Sequence, residues 1–209
     1  MKSIVTVTTA ATSRLLTTRA RFKSEVGITA TTDDDMIDAW LLEASDAIAA
    51  YVGRQLLPET VSEAFRLAPG ELAYRPDVMP LTMARWPVTT LTSVVEEGTT
   101  LATTDYEIDK ATGCLWRLSD GYRARWYAVN VVVAYIAGYA DSTAPRSSLA
   151  TACLSVLKHR WSARSRDPMV KSQDIPGVLR TDYWVGAVGD GPFPPEVMAL
   201  LEPFRDIII

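Results

Sequence analysis

Across residues 33–54, DDDMIDAWLLEASDAIAAYVGR, apolar side chains return at Met36, Ile37, Trp40, Leu41, Ala44, Ala47, Ile48, Tyr51 and Val52. Spacings of three and four, sustained over about five turns, gather on one side of an α-helix and on neither side of a strand. The segment is therefore expected to be an amphipathic helix with one face in a core. Its ends agree. Thr32 or Asp33 is placed to cap the start, Asp33, Asp34 and Asp35 lie where the helix dipole is positive, and Gly53 supplies the stop. A second long helix is expected after Pro145, in PRSSLATACLSVLKHRWSAR, where Leu149, Cys153, Leu154, Val156, Leu157 and Trp161 form a broad stripe. Such width implies contact with more than one neighbour.

Between these two helices the period changes. ETVSEAFRL, PLTMARWPV, TLTSVVEE, TTDYEID, GCLWRL and AVNVVVAYIAGY are short β-rich runs separated by Gly, Pro and Asp turn signals, the pattern of a small antiparallel sheet. VVVAYIAGY alternates less than the others and is expected to be covered on both faces. Residues 1–12 are small and threonine-rich, suited to a flexible arm or to an edge strand that depends on a neighbour. TRARFKSEV reads as a short helix capped by Thr17 or Thr18, with Ala20 and Val26 inward and Gly27 at its end. Residues 165–192 lack periodicity and read as a long loop or extended hairpin. The expected fold is α+β: a mainly helical core of two long amphipathic helices plus short helices, a small antiparallel sheet and an extended C-terminal arm. Residues 1–164 would form the core domain, and 165–209 the loop or hairpin, a last helix and a tail.

Composition excludes several classes. With 209 residues, 48% apolar and 22% charged, the chain can bury a core and lies far from the disordered class. A net charge of −4 lacks the basic footprint that neutralises nucleic-acid phosphates. Cys114 and Cys153, far apart and in apolar settings, suggest free thiols in a reducing compartment such as the cytoplasm. No run approaches the length of a membrane span, and the threonine-rich start lacks the apolar segment of a secretion signal, so neither fate is supported.

Candidate chemistry is sparse. His159 is the only histidine, so a triad, a multi-histidine metal site or a general-base scheme would have to pass through it. With no Gly-x-Ser-x-Gly elbow and no paired ligand spacing, it reads as a half-exposed helix residue. A small hydrolase or ligand-binding domain using His159 stands as the reading from another class. The acidic run 33–35 lacks the alternating ligands and distal glutamate of a calcium loop, and GAVGDGP precedes prolines rather than a strand-to-helix turn with a lysine. No metal and no cofactor is expected. Arg160 falls within the stripe of Cys153, Val156 and Leu157, where an unpaired charge is costly, so it needs a partner: either it snorkels or it pairs with an acid across a subunit boundary. Tyr183 and Trp184 are large aromatics in an unpatterned segment, fit to anchor an interface or to pack locally.

The last eighteen residues, PFPPEVMALLEPFRDIII, encode one short helix with Pro194 and Pro195 at its start and Val197, Leu200, Leu201 and Phe204 on one face. A helix of about two turns needs tertiary packing. After Pro203, the β-branched Ile207, Ile208 and Ile209 favour an extended strand that could add to a partner's sheet edge or pack on its own domain.

Taken in order, AAYVGRQL, ETVSEAF, ARWPVTTLTSVVEEGTTL, DYEID, VVVAYIAGY and the P-x-x-x-L-x-x-A-x-x-x-x-L-x-x-R-W pattern of residues 145–161 resemble the head-tail connector, or adaptor, proteins of long-tailed bacteriophages and gene transfer agents. The resemblance covers about 15–164, and FPPEVMALLEPFR is similar to the family's ending. It implies a non-catalytic virion protein of the neck, made in the bacterial cytoplasm. Such a protein forms a homo-oligomeric ring, typically dodecameric, that binds the portal, meets a stopper or tail-completion protein, and passes DNA through its channel without gripping it. A role as the stopper or tail-completion protein itself is the neighbouring reading. The family's portal-docking ending carries over to Phe193, Val197, Leu200, Leu201, Phe204, Ile207, Ile208 and Ile209. Arg160, Tyr183 and Trp184 are the candidates for subunit or neck contacts.

Overall fold

Alternation through NVVVAYIA sends Val131, Val133, Tyr135 and Ala137 to one side, and this strand, β9 (Asn130–Ala137), becomes the middle of a five-stranded antiparallel sheet. The computed structural model describes residues 3–66, 78–127, 129–140, 144–164, 172–175, 179–182 and 191–205. Its contacts divide the chain into two units, residues 1–13 with 55–140 and residues 14–54 with 141–209.

In the first unit, β9 lies between β2 (Glu59–Arg66) and β4 (Val88–Glu96), with β1 (Ser3–Thr9) outside β2 and the two-residue β5 (Thr99–Thr100) outside β4. A second antiparallel sheet runs β3 (Leu81–Thr82), β7 (Cys114–Ser119), β6 (Tyr106–Asp109), and β8 (Tyr122–Ala124) also pairs with β7. Inward residues of both sheets share one core, in which Val61, Phe65, Leu81, Met83, Val94, Leu115 and Tyr135 are almost wholly buried. β9 alternates strictly between buried and half-buried positions, so only one of its faces is fully covered, where both were expected to be. Just past β9, Gly138 adopts φ +127°, and a Cβ there would sit 2.5 Å from the Leu57 carbonyl, so only glycine permits the crossing.

One polar group lies inside this core. The periodicity of β2 points Glu63 inward between Val61 and Phe65, and it is fully buried. Its carboxylate accepts hydrogen bonds from Tyr135 Oη (2.6 Å), from the Ala84 N–H (3.1 Å to Oε2) and from the Ser3 hydroxyl. Three donors supply what the lost water would have given.

The second unit contains α1 (Arg19–Val26), α2 (Asp34–Val52), α3 (Ala144–Ala163), α4 (Pro195–Leu201) and the hairpin β10 (Ser172–Ile175) and β11 (Leu179–Asp182). Thr18 caps α1, its hydroxyl accepting from the Arg21 N–H, and Gly27 and Gly53 close α1 and α2 in the left-handed conformation. Phe22 is the residue α1 buries; Ala20, expected inward, is exposed. Ile37, Leu41, Ile48 and Val52 of α2 and Leu149, Cys153, Leu154 and Leu157 of α3 are buried. Ser45 joins them, donating to the Leu41 carbonyl (2.7 Å) and accepting from the Leu16 N–H (3.0 Å).

The expected mainly helical core with a small sheet is overturned. The strands carry a core of their own, and the long helices belong to a separate unit. The physical reason is additive: each strand contributes only two to four inward side chains, too few to stand out beside a long helical stripe, yet two sheets together bury about a dozen.

Candidate interaction site

Pro194 and Pro195 set the chain entering α4, where fixed φ angles suit a first turn and the missing N–H groups cost nothing. The turns that follow bury Val197 and Leu201 completely, and Phe193 and Phe204 nearly so, while Leu200 is half-buried. These side chains are held within the second unit. Phe193 meets Tyr51 of α2 edge to face at 5.6 Å, the Phe204 carbonyl accepts from Arg54 Nε at 2.9 Å, and Arg205 lies over the Tyr51 ring at 5.3 Å. The residues to which portal docking was carried over therefore separate. Phe193, Val197, Leu201 and Phe204 anchor the segment to its own unit. Ile207, Ile208 and Ile209 lie outside the described residues. Arg205 leaves the last turn in an extended conformation, φ −64° and ψ 136°, close to polyproline II.

His159 belongs to the same anchor. Its Nε2 lies 2.7 Å from Glu196 Oε1, with both side chains about half exposed. The Glu196 carboxyl is held below the usual glutamate range, first by its own backbone N–H and then by the His159 hydrogen bond. This pair joins α4 to α3.

Arg160 finds its partners inside the unit. It donates to Glu43 of α2 and lies over the Trp40 ring at 4.5 Å. Trp40 in turn meets Trp161 at 6.5 Å, and Arg164 lies over Trp161 at 3.7 Å while pairing with Asp33 at 3.1 Å. Two half-buried tryptophans thus stand between two arginines on the α2–α3 surface. Tyr183 and Trp184 lie outside the described residues. Asp34 pairs with Lys23 at 2.7 Å and Asp33 with Arg164, so part of the acidic run holds the start of α2 against α1 and the end of α3. Among the described residues, no cluster of three or more His, Cys, Asp or Glu could hold a metal ion.

Three solved structures share this fold over nearly the whole chain. They are described as the neck of a native GTA particle computed with C12 symmetry (18% identity, TM-score 0.55), the neck of an empty GTA particle computed with C6 symmetry (19%, 0.57), and the virion of a native gene transfer agent particle (18%, 0.56). Each alignment covers 99% of this chain and 97% of the other. At such identity the likeness is one of fold. No protein-family model matches the chain, and no curated protein matches it.

The Glu63 network was missed in the sequence, although a signal was present. In TVSEAFR, strict alternation puts Glu63 on the side of Val61 and Phe65, and a carboxylate on an inward position calls for donors.

Proposed function

We propose that the chain is a structural subunit of a virion neck, a head-tail adaptor that assembles as a homo-oligomeric ring against the portal and continues the DNA channel toward the stopper and tail. The observation that carries this reading is the end-to-end match in fold, 99% of this chain against 97% of each neighbour, to chains from two gene transfer agent necks and one gene transfer agent virion. The ordered motifs point the same way from the sequence alone. Ring symmetry is proposed as twelvefold, after the neck computed with C12 symmetry. A net charge of −4 suits a channel that must let DNA slide.

In this reading the second unit presents its C-terminus to the portal. Phe193, Val197, Leu201 and Phe204 keep α4 in place, half-buried Leu200 lies beside them, and Ile207, Ile208 and Ile209 make the contact by adding to a sheet edge of the portal. Arg160, Tyr183 and Trp184 are proposed as side contacts within the neck. The role is non-catalytic.

The test is capture by the portal encoded beside the chain. Full-length protein is expected to bind, and removal of residues 206–209 to weaken binding by about tenfold or more, equal to about 1.4 kcal/mol, with an unchanged melting temperature. A full-length protein that portal rings do not capture contradicts the reading.

A further inference from the structure

Apart from the two-residue β5, β1 is the one strand of the larger sheet that buries no side chain completely. Of its seven residues only Ser3 and Val5 are half-buried, while Ile4 and Val7 are 59% and 43% exposed. Val61, Phe65, Val131, Val133 and Tyr135 of the neighbouring β2 and β9 lie in the shared core, and of β1 only Val5 packs against it.

What holds β1 is therefore mainly polar. Its backbone pairs with β2 from Ser3 to Thr9, with an irregular step between Val7 and Thr9, and Thr8 Oγ1 donates to the Thr60 carbonyl at 3.0 Å. The Ser3 hydroxyl donates to the fully buried Glu63. This bond pins the N-terminal end of the strand. From the other end the chain passes through residues 10–13, outside any regular element, into the second unit. A strand pinned at one end and tethered at the other does not fray residue by residue; it comes away as a whole.

Its departure orphans nothing in the core. Glu63 keeps the Tyr135 hydroxyl at 2.6 Å and the Ala84 N–H at 3.1 Å, both from outside β1, and water replaces the Ser3 hydroxyl. β2 keeps its pairing with β9 over its full length, from Glu59 to Arg66.

We infer that β1 is a strap that opens as one unit, at a free energy below that of global unfolding, with the Ser3–Glu63 hydrogen bond as its catch. Opening bares the outer edge of β2 and the Glu63 carboxylate, while β2, β9, β4 and β5 stay folded against the smaller sheet. A bared edge presents free N–H and C=O groups, so the catch governs when the sheet can be extended by another strand.

Native-state hydrogen exchange on the full-length protein, over a series of urea concentrations below the unfolding transition, tests the inference. Protected amides of residues 4–9 are expected to share one opening free energy, lower than that of residues 131–137, and to respond more weakly to urea because little surface is exposed. Two substitutions separate the openings. Tyr135→Phe removes a bond that survives when β1 leaves, so it is expected to speed exchange in β9 by about fivefold or more and to leave β1 unchanged. Ser3→Ala removes a bond broken in either opening and is expected to speed exchange in β1 by about tenfold or more, with Ser3→Thr, which keeps the hydroxyl, restoring it. Equal opening free energies and equal urea dependence in β1 and β9 overturn the inference, since the sheet then opens only as one body. Opening free energies graded along residues 4–9 overturn it as well, because they report fraying. So does Tyr135→Phe that speeds β1 together with β9, or Ser3→Ala that leaves β1 unchanged.

Discussion

Glu63 shows how one residue can fix a strand that otherwise buries little. β1 has only half-buried and exposed positions, yet its first residue reaches the carboxylate at the centre of the sheet core. Replacing Tyr135 with Phe removes one of the three donors while the carboxylate stays buried. The expected loss is about 1–3 kcal/mol, read as a fall in the urea midpoint. Burial, and then the hydrogen bond to Glu63, push the Tyr135 hydroxyl well above the ordinary tyrosine value of 10.0. A raised folded-state value means that the native protein holds this proton more tightly. The associated stability is complete below pH 10 and declines as pH rises beyond it, and Tyr135→Phe is expected to remove that alkaline component. Cys153 behaves similarly: burial pushes its thiol up to about 11, against the opposing hydrogen bond between it and Ser45. Iodoacetamide at pH 8 is therefore expected to label half-buried Cys114 well before Cys153, with the two sites resolved by peptide mass spectrometry.

Among the elements, α4 carries the sharpest consequence. Its tail was legible as a segment that must dock, because a helix of about two turns cannot stand alone in water. The sequence did not say on what. Tyr51, Arg54 and His159 decide it, and no local pattern could reveal them: Arg54 and His159 stand 150 and 37 residues from their partners Phe204 and Glu196, and only the folded unit brings α2 and α3 to α4. Phe204→Ala is expected to cost about 3–5 kcal/mol by emptying a buried site, measured by thermal or urea denaturation. Removal of residues 206–209 alone is expected to leave that transition unchanged, which makes it the clean probe of binding. Helices α1 and α2 and their glycine stops were readable because periodicity and caps are local. The choice of Phe22 over Ala20 was not, since a single short turn presents both and tertiary packing selects between them. Arg160 is exposed rather than set within the apolar stripe, and the acid it pairs with, Glu43, comes from a helix more than a hundred residues earlier.

For the whole molecule, the division into two units was the least legible feature. The chain enters the sheet unit, leaves it at residue 13, returns at 55 and leaves again at 140, so no linker composition marks the boundary. Pairing of β1 with β2 crosses the entire α1–α2 insertion, a long-range contact that local pattern does not encode. In the proposed reading the chain closes a ring of like copies, and the anchored helix α4 leads to the contact with a different partner, the two kinds of contact that a ring seated on another ring requires. Electron cryo-microscopy of particles from the genome encoding this chain tests that claim most directly. The account predicts a closed ring of this fold between portal and tail. A neck in which this chain is absent, or present without closing a ring, would contradict it.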